Sequence, residues 1–271
     1  MRKGRTLALS GGLRAQMPFW QNFRTDAQVL AQERPIGPTR SRDVVLGYDH
    51  PVNERLVLHV EAYHQELTDV PVTDPYIRSL FPDHFSLVNA WNEPVDQPLA
   101  PEGRATNYGV EAGVDHRFSG NLFYRANVSV FRSLYDLGGE TAHASRWDRR
   151  YITNMLFGKE FKREAENRVR TWGTSLRLNL MGGLLEQAAA LDPPPAGDDR
   201  WDRPMPQYVR LDVRVYLKTD RKGRTGMWAV DLQNVLGNKN VAFHYFDARQ
   251  GRVMAKYQLG LIPNLSYRIE F

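Results

Sequence analysis

The chain has 271 residues, enough for one large domain or two small ones. It has no cysteine, which excludes a disulfide scaffold and a Cys-ligated zinc site. The formal net charge is +5, but 36 Lys+Arg and 31 Asp+Glu are interspersed rather than blocked, so the concentrated basic face of a nucleic-acid binder is missing and no nucleic-acid partner is expected.

No apolar run approaches the roughly 18 residues of a membrane-spanning helix. The mean hydropathy of −0.52 looks soluble, yet in a barrel lumen-facing polar residues cancel lipid-facing apolar ones in any such average. At the amino terminus, Met1-Arg2-Lys3-Gly4-Arg5 before Thr6-Leu7-Ala8-Leu9 imitates a signal peptide. The apolar stretch is too short and Arg14 breaks its continuation, so the sequence reads as opening within a longer architecture.

From there period-2 alternation predominates over helical periodicity. Strands are predicted at 6–14, 42–50, 55–68, 105–117, 122–135, 151–162, 168–183, 207–219, 227–235, 241–247, 252–261 and 265–271, twelve in all. Gly11-Gly12, Leu156 and His244 break the alternation in three of them. Tyr108, Val110, Ala112 and Val114 alternate with Asn107, Glu111 and Asp115. Leu122, Tyr124, Ala126 and Val128 alternate with Arg125 and Asn127; Trp172, Leu176, Leu178 and Leu180 with Arg177; and Val209 to Leu217 with Arg210, Asp212 and Arg214. Successive side chains of a strand point to opposite faces, so each segment has one apolar and one charged face. Many segments are longer than the ~5–6 residues of a globular strand and match the ~9–11 of a tilted membrane-spanning one.

Connection lengths add independent information. Short turns are expected at 51–54, 118–121, 163–167, 219–226 and 248–251, and long polar stretches at 15–41, 69–104, 136–150 and 184–206. Up to the last hairpins the two kinds alternate, as short periplasmic turns and long extracellular loops do in outer-membrane barrels. The expected fold is therefore an all-β antiparallel transmembrane β-barrel of about twelve strands, which the family resemblance described below makes part of a larger barrel. Asn107, Glu111, Asp115, Arg125, Asn127, Arg177, Arg210, Asp212 and Arg214 are the candidate lumen-facing residues. The long loops carry Trp20, Trp91, Trp147 and Trp201, candidate ligand contacts that could equally pack the loops or anchor at the lipid interface.

Nothing points to catalysis, and no cofactor or metal is expected. His59 and His64 are separated by an odd offset, which puts their rings on opposite faces of a strand. Glu61, Glu111 and Asp115 share a face with Arg125, Arg177, Arg210 and Arg214, so mutual neutralisation is the plainer reading than an acid–base pair. The stretch Lys222-Gly223-Arg224-Thr225-Gly226 lacks P-loop spacing and reads as a polar turn. Ser86, Ser129 and Ser175 have no sequence-local base.

Several blocks resemble the barrel of TonB-dependent receptors of Bacteroidetes type. They are Val45-Leu46-Gly47-Tyr48-Asp49, the run 61–72, Asn107-Tyr108-Gly109-Val110-Glu111, the run 154–161, the run 231–240, the run 257–263, and Tyr267-Arg268-Ile269-Glu270-Phe271. The resemblance covers nearly the whole chain but only the last part of a family member. It implies uptake of a scarce nutrient, a ferric chelate or a glycan, energised through TonB. Complete members close a barrel of about 22 strands around a plug; neither plug nor TonB-contacting box is visible, so residues 1–271 are expected to be a carboxy-terminal barrel segment. The expected partners are outer-membrane lipid, the barrel assembly machinery, the TonB system through the missing plug, and a separately encoded amino-terminal half or surface lipoprotein. Tyr267, Ile269 and Phe271 resemble the carboxy-terminal signal read by the assembly machinery. The rival expectations are a self-contained twelve-stranded passive pore and a soluble β-rich binding protein.

Overall fold

The computed structural model describes residues 4–18, 36–80, 85–90, 95, 98–139, 141–187 and 201–271. All twelve predicted segments are strands, and three short ones join them: β1 (Thr6–Gln16), β2 (Thr39–Pro51), β3 (Leu56–Thr73), β4 (Leu99–Ser119), β5 (Leu122–Asp136), β6 (His143–Ala144), β7 (Tyr151–Ala165), β8 (Arg168–Met181), β9 (Leu185–Gln187), β10 (Trp201–Pro204), β11 (Tyr208–Arg221), β12 (Arg224–Gln233), β13 (Val241–Asp247), β14 (Arg252–Tyr257) and β15 (Ile262–Glu270). The helical content described is one short helix, Pro75–Leu80, and a 3-10 turn, Leu87–Asn89.

Ten of the strands pair in the order β1-β2-β3-β4-β5-β7-β8-β11-β12-β15, with β6 added beside β5. Every neighbouring pair is antiparallel. Among the described residues the sheet is open: β1 and β15 each have a neighbour on one side only.

The expected strands at 241–247 and 252–261 do not enter this sheet. They form a separate hairpin, β13–β14, while β12 pairs directly with β15 from Gln233↔Ile262 to Thr225↔Glu270. At 7 and 6 residues they are too short to cross a bilayer at a tilt. The turn at 248–251 is thus the tip of a loop excursion and not a connection on the short-turn side. With that correction the alternation is complete. Short connections lie at 52–55, 120–121, 166–167 and 222–223, and long ones at 17–38, 74–98, 137–150, 182–207 and 234–261.

The short turns have local causes. Gly120 and Asn121 both take positive φ, 57° and 64°, the geometry of a two-residue hairpin turn and the residue types that tolerate it. In the first turn the Asn53 side-chain carbonyl accepts from the amides of Arg55 and Leu56 at 2.8 and 3.0 Å.

Register separates the two faces. Directly opposed residues share a face, and the pairings carry Phe161, Trp172, Leu217, Trp228 and Tyr267 across β7, β8, β11, β12 and β15 in one row. This aromatic row lies near the short-turn end. Above it the same face carries Leu9, Leu46, Val60, Val110, Val128, Phe157, Leu176, Val215, Val230 and Leu265, all exposed. The Val209–Leu217 stretch covers about 27 Å of strand at ~3.4 Å per residue, which a ~40° tilt reduces to roughly 20 Å, close to the ~25 Å apolar band of outer-membrane barrels.

The opposite face is not an apolar core either. Buried apolar side chains gather at the loop end instead. Val72, Ala105, Tyr135 and Leu137 form one cluster, with Leu67, Val88 and Trp201 packed on it. Ile36, Val95 and Leu99 form a second with Phe85 and Leu87. The long loops are therefore folded onto the upper ends of β3, β4 and β5.

Candidate functional site

All the candidate lumen residues fall on the face opposite the apolar one. Register opposes Asp115 to Arg125, Glu111 to Ser129, Asn107 to Gln65 and Ser133, Asn127 to Gly113 and Asn154, and Asp212 to Arg177. Arg125 donates to Asp115 through Nε at 3.0 Å and through a second, shorter contact. Ser129 donates to Glu111 at 3.1 Å. Asn107 donates to Gln65 at 2.8 Å, and Gln65 passes the chain on to Ser41 and Asp43. His59 contacts Asp49 at 2.7 Å on this face, whereas His64 pairs with Val44 and Tyr108 on the other. Glu61 stands directly opposite Glu111.

On β8, β11 and β12 the polar residues enclose a cavity of about 290 Å³ lined by Arg177, Arg210, Asp212, Arg214 and Asp231, with Asn264 from β15. Arg210 donates to Asp212 at 2.7 Å and to Gln233 at 3.0 Å, and Arg214 to Asp231 at 3.2 Å. Three guanidinium groups face two carboxylates here, leaving a local positive excess. Below the cavity the Tyr216 ring covers Gly173, where an added Cβ would lie 2.0 Å from the ring, and its hydroxyl donates to Glu160. A glycine on one strand beneath an aromatic on the next is a close approach that any larger residue would forbid.

The loop end holds groups that sequence reasoning did not single out. Asp148, with its side chain 0% exposed, accepts from Arg132 Nε and Arg150 Nε at 3.1 Å each and from the Ser133 amide at 3.0 Å. A buried carboxylate is tolerated when its lone pairs are filled in this way. Arg150 is two residues on, but Ser133 and Arg132 lie 15 and 16 residues back along the chain, across a hairpin, where spacing gave no signal. Asn240 binds Val209 through both the amide (3.0 Å) and the carbonyl (2.9 Å), so its side chain replaces a neighbouring strand at the start of β11. Half-burial lowers the Arg149 guanidinium from its ordinary pKa, with the nearby Tyr208 acting the other way.

The loop tryptophans divide. Trp20 and Trp91 lie outside the described residues. Trp147 donates its indole N–H to the Val88 carbonyl at 2.7 Å, and Trp201 packs on the first apolar cluster. The Arg146 guanidinium lies over both rings, 5.6 and 5.2 Å from their centroids, which ties three loops together. Trp201 also lines a cavity of about 660 Å³ with His143, Arg149, Tyr151, Asp202 and Gln207. At the other end of the molecule, Tyr267 packs on Trp228 with centroids 4.5 Å apart, Ile269 is exposed on the same face, and Phe271 comes after β15 with 93% of its surface exposed.

No family model and no curated protein matches this sequence. The fold does match solved outer-membrane receptors. The ferric yersiniabactin uptake receptor of Yersinia pestis aligns over 98% of this chain and 35% of its own, with a TM-score of 0.63 at 16% identity. The P. aeruginosa receptor FpvA, solved with a ferric pyoverdine, aligns over 98% and 31%, with a TM-score of 0.64 at 12% identity. The ferric-catecholate import receptor Fiu of E. coli K12 aligns over 97% and 32%, with a TM-score of 0.59 at 9% identity. The chain thus has the architecture of these receptor barrels and spans about a third of their length.

Proposed function

We propose that this chain is the barrel portion of an outer-membrane uptake receptor of the ferric-chelate class, energised through TonB in its complete assembly. The observation that carries the reading is the exposure of apolar side chains over one whole face of a ten-strand antiparallel sheet, with charged and amide groups on the other. A soluble protein seldom leaves a contiguous apolar patch beyond a few hundred Å², whereas a lipid-facing barrel wall requires one. Restricting the substrate to a ferric chelate rests on the ferric ligands of the three structural neighbours. The local positive excess around Arg177, Arg210 and Arg214 suits an acidic chelate or an acidic plug surface.

The open edges β1 and β15 favour the receptor over a self-contained pore. In hydrocarbon each unpaired backbone group costs several kcal/mol, so these edges pair with further strands in the membrane. The test is uptake of iron-55 presented as siderophore complexes by cells with and without the gene, in a background with and without TonB. Loss of uptake of a ferric chelate in both deletions supports the reading. Unchanged iron uptake with loss of labelled oligosaccharide uptake would move the substrate to the glycan class.

A further inference from the structure

One groove opens on the lipid-facing side of the sheet. Where mid-β4 pairs with the upper part of β5, a groove of about 650 Å³ is lined by His64, Tyr108, Val110, Val130, Arg132 and Arg150, with Tyr63, Gly109 and Phe131 beneath them. Its floor is apolar. Its rim carries two guanidinium groups, 36% and 56% exposed, and no carboxylate lines it.

Three features make the rim a built arrangement. Buried Asp148 holds both arginines through Nε, and among the described residues their terminal nitrogens have no acceptor. Arg150 has φ +69°, a left-handed conformation that glycine or asparagine would adopt more readily. Strain of this kind persists where the surroundings hold the residue in place, here the Phe131 amide on the Arg150 carbonyl at 2.9 Å and Asp148 on its side chain. Finally, the level is specific. The lipid-facing series Tyr124, Ala126, Val128 and Val130 of β5 is broken by Arg132 before Leu134, so the cations stand near the long-loop edge of the apolar band, at the headgroup layer.

Resting on the outer-membrane reading above, we infer that this groove binds a phosphorylated multi-acyl lipid of the outer leaflet. An acyl chain lies along Tyr108, Val110 and Val130, and a headgroup phosphate is held by Arg132 and Arg150. Guanidinium pairs bind phosphate in forked, charge-assisted hydrogen bonds. A zwitterionic headgroup would bring an ammonium group for which the groove has no carboxylate. Filled, the groove would fix the β5–β7 loop, and with it Trp147 and the tryptophan-flanked cavity, from the outside of the barrel.

The experiment is native mass spectrometry of the chain in its complete outer-membrane assembly, extracted into detergent micelles doped with bis-phosphorylated lipid A, with phosphatidylethanolamine and with inorganic phosphate. Two variants accompany it: Arg150→Gln, which leaves the Arg132–Asp148 pair intact, and Val130→Trp, which fills the floor without touching a charge. The expected result is one retained lipid A per chain, reduced about tenfold by each variant, with weaker retention of phosphatidylethanolamine and no competition from millimolar phosphate. Equal retention of both lipids, or unchanged lipid A retention in both variants of a properly inserted chain, overturns the inference while leaving the membrane reading intact. Competition by free phosphate assigns the rim to phosphate and overturns the lipid. Failure of the complete assembly to fractionate with the outer membrane overturns the membrane reading itself.

Discussion

Replacing Val213 by arginine should cost the inserted state about 2–4 kcal/mol, and the same replacement at Val209 about 0–1 kcal/mol. The difference comes from depth. Val213 pairs with Leu176 on β8 and Leu232 on β12, in the middle of the apolar stretch of β11. Four residues separate it from Val209 in one direction and from Leu217 in the other. At ~3.4 Å per residue and a ~40° tilt, each end lies about 10 Å from Val213 along the membrane normal, which puts Val213 near the midplane and Val209 near an interface. Three kcal/mol corresponds to a change of more than a hundredfold in the ratio of inserted to free protein. Flotation of the variants, in the complete assembly, with lipid vesicles across a urea series measures that ratio. A flat profile, with both arginines costing the same or Val213→Arg costing under ~1 kcal/mol, would refute the depth assignment.

Three further outcomes are expected. Asp148→Asn leaves Arg132 and Arg150 without their buried counter-charge and should destabilise the loop end by ~2–3 kcal/mol, discounted from the ~3–5 kcal/mol of a fully buried pair because both arginines reach solvent; a lowered melting temperature by near-UV circular dichroism checks it. Trypsin added to intact cells should cut within the 182–207 loop and spare Arg221 and Lys222 in the turn between β11 and β12; cleavage confined to the latter would invert the topology. Phe271→Asp should lower membrane insertion, read by heat-modifiable gel mobility, more than Tyr216→Phe does, because Phe271, next after the terminal strand, is exposed while Tyr216 is enclosed over Gly173.

Strand positions and faces were legible because hydrophobic alternation and the length of a membrane crossing are both local quantities. Arg210, Asp212 and Arg214 could be placed opposite Val213 and Val215 by parity alone. Parity cannot distinguish a strand of the wall from a strand of a loop. Val241–Asp247 and Arg252–Tyr257 alternate well enough, yet their register is set against each other and they stay out of the main sheet. Length could flag only the first, since the seven residues expected at 241–247 fall short of a crossing while the ten expected at 252–261 do not. The loop site was less legible still, since Asp148 acquires its meaning from Arg132 and Ser133 across a hairpin, and the fixing of Trp147 comes from the Val88 carbonyl 59 residues away. The Asn234–Asn240 stretch carries part of the family resemblance, but its physical role, amide side chains replacing a strand partner for Val209, emerges only in three dimensions.

The central claim is that one face of this sheet meets lipid and the other does not. Single cysteines at 212 and 213, labelled with a fluorophore in the complete assembly reconstituted into vesicles, test it on adjacent residues of one strand. The account predicts quenching of the label at 213 by a lipid-embedded quencher and of the label at 212 by aqueous iodide. Quenching of 212 but not 213 by the lipid-embedded species would contradict it.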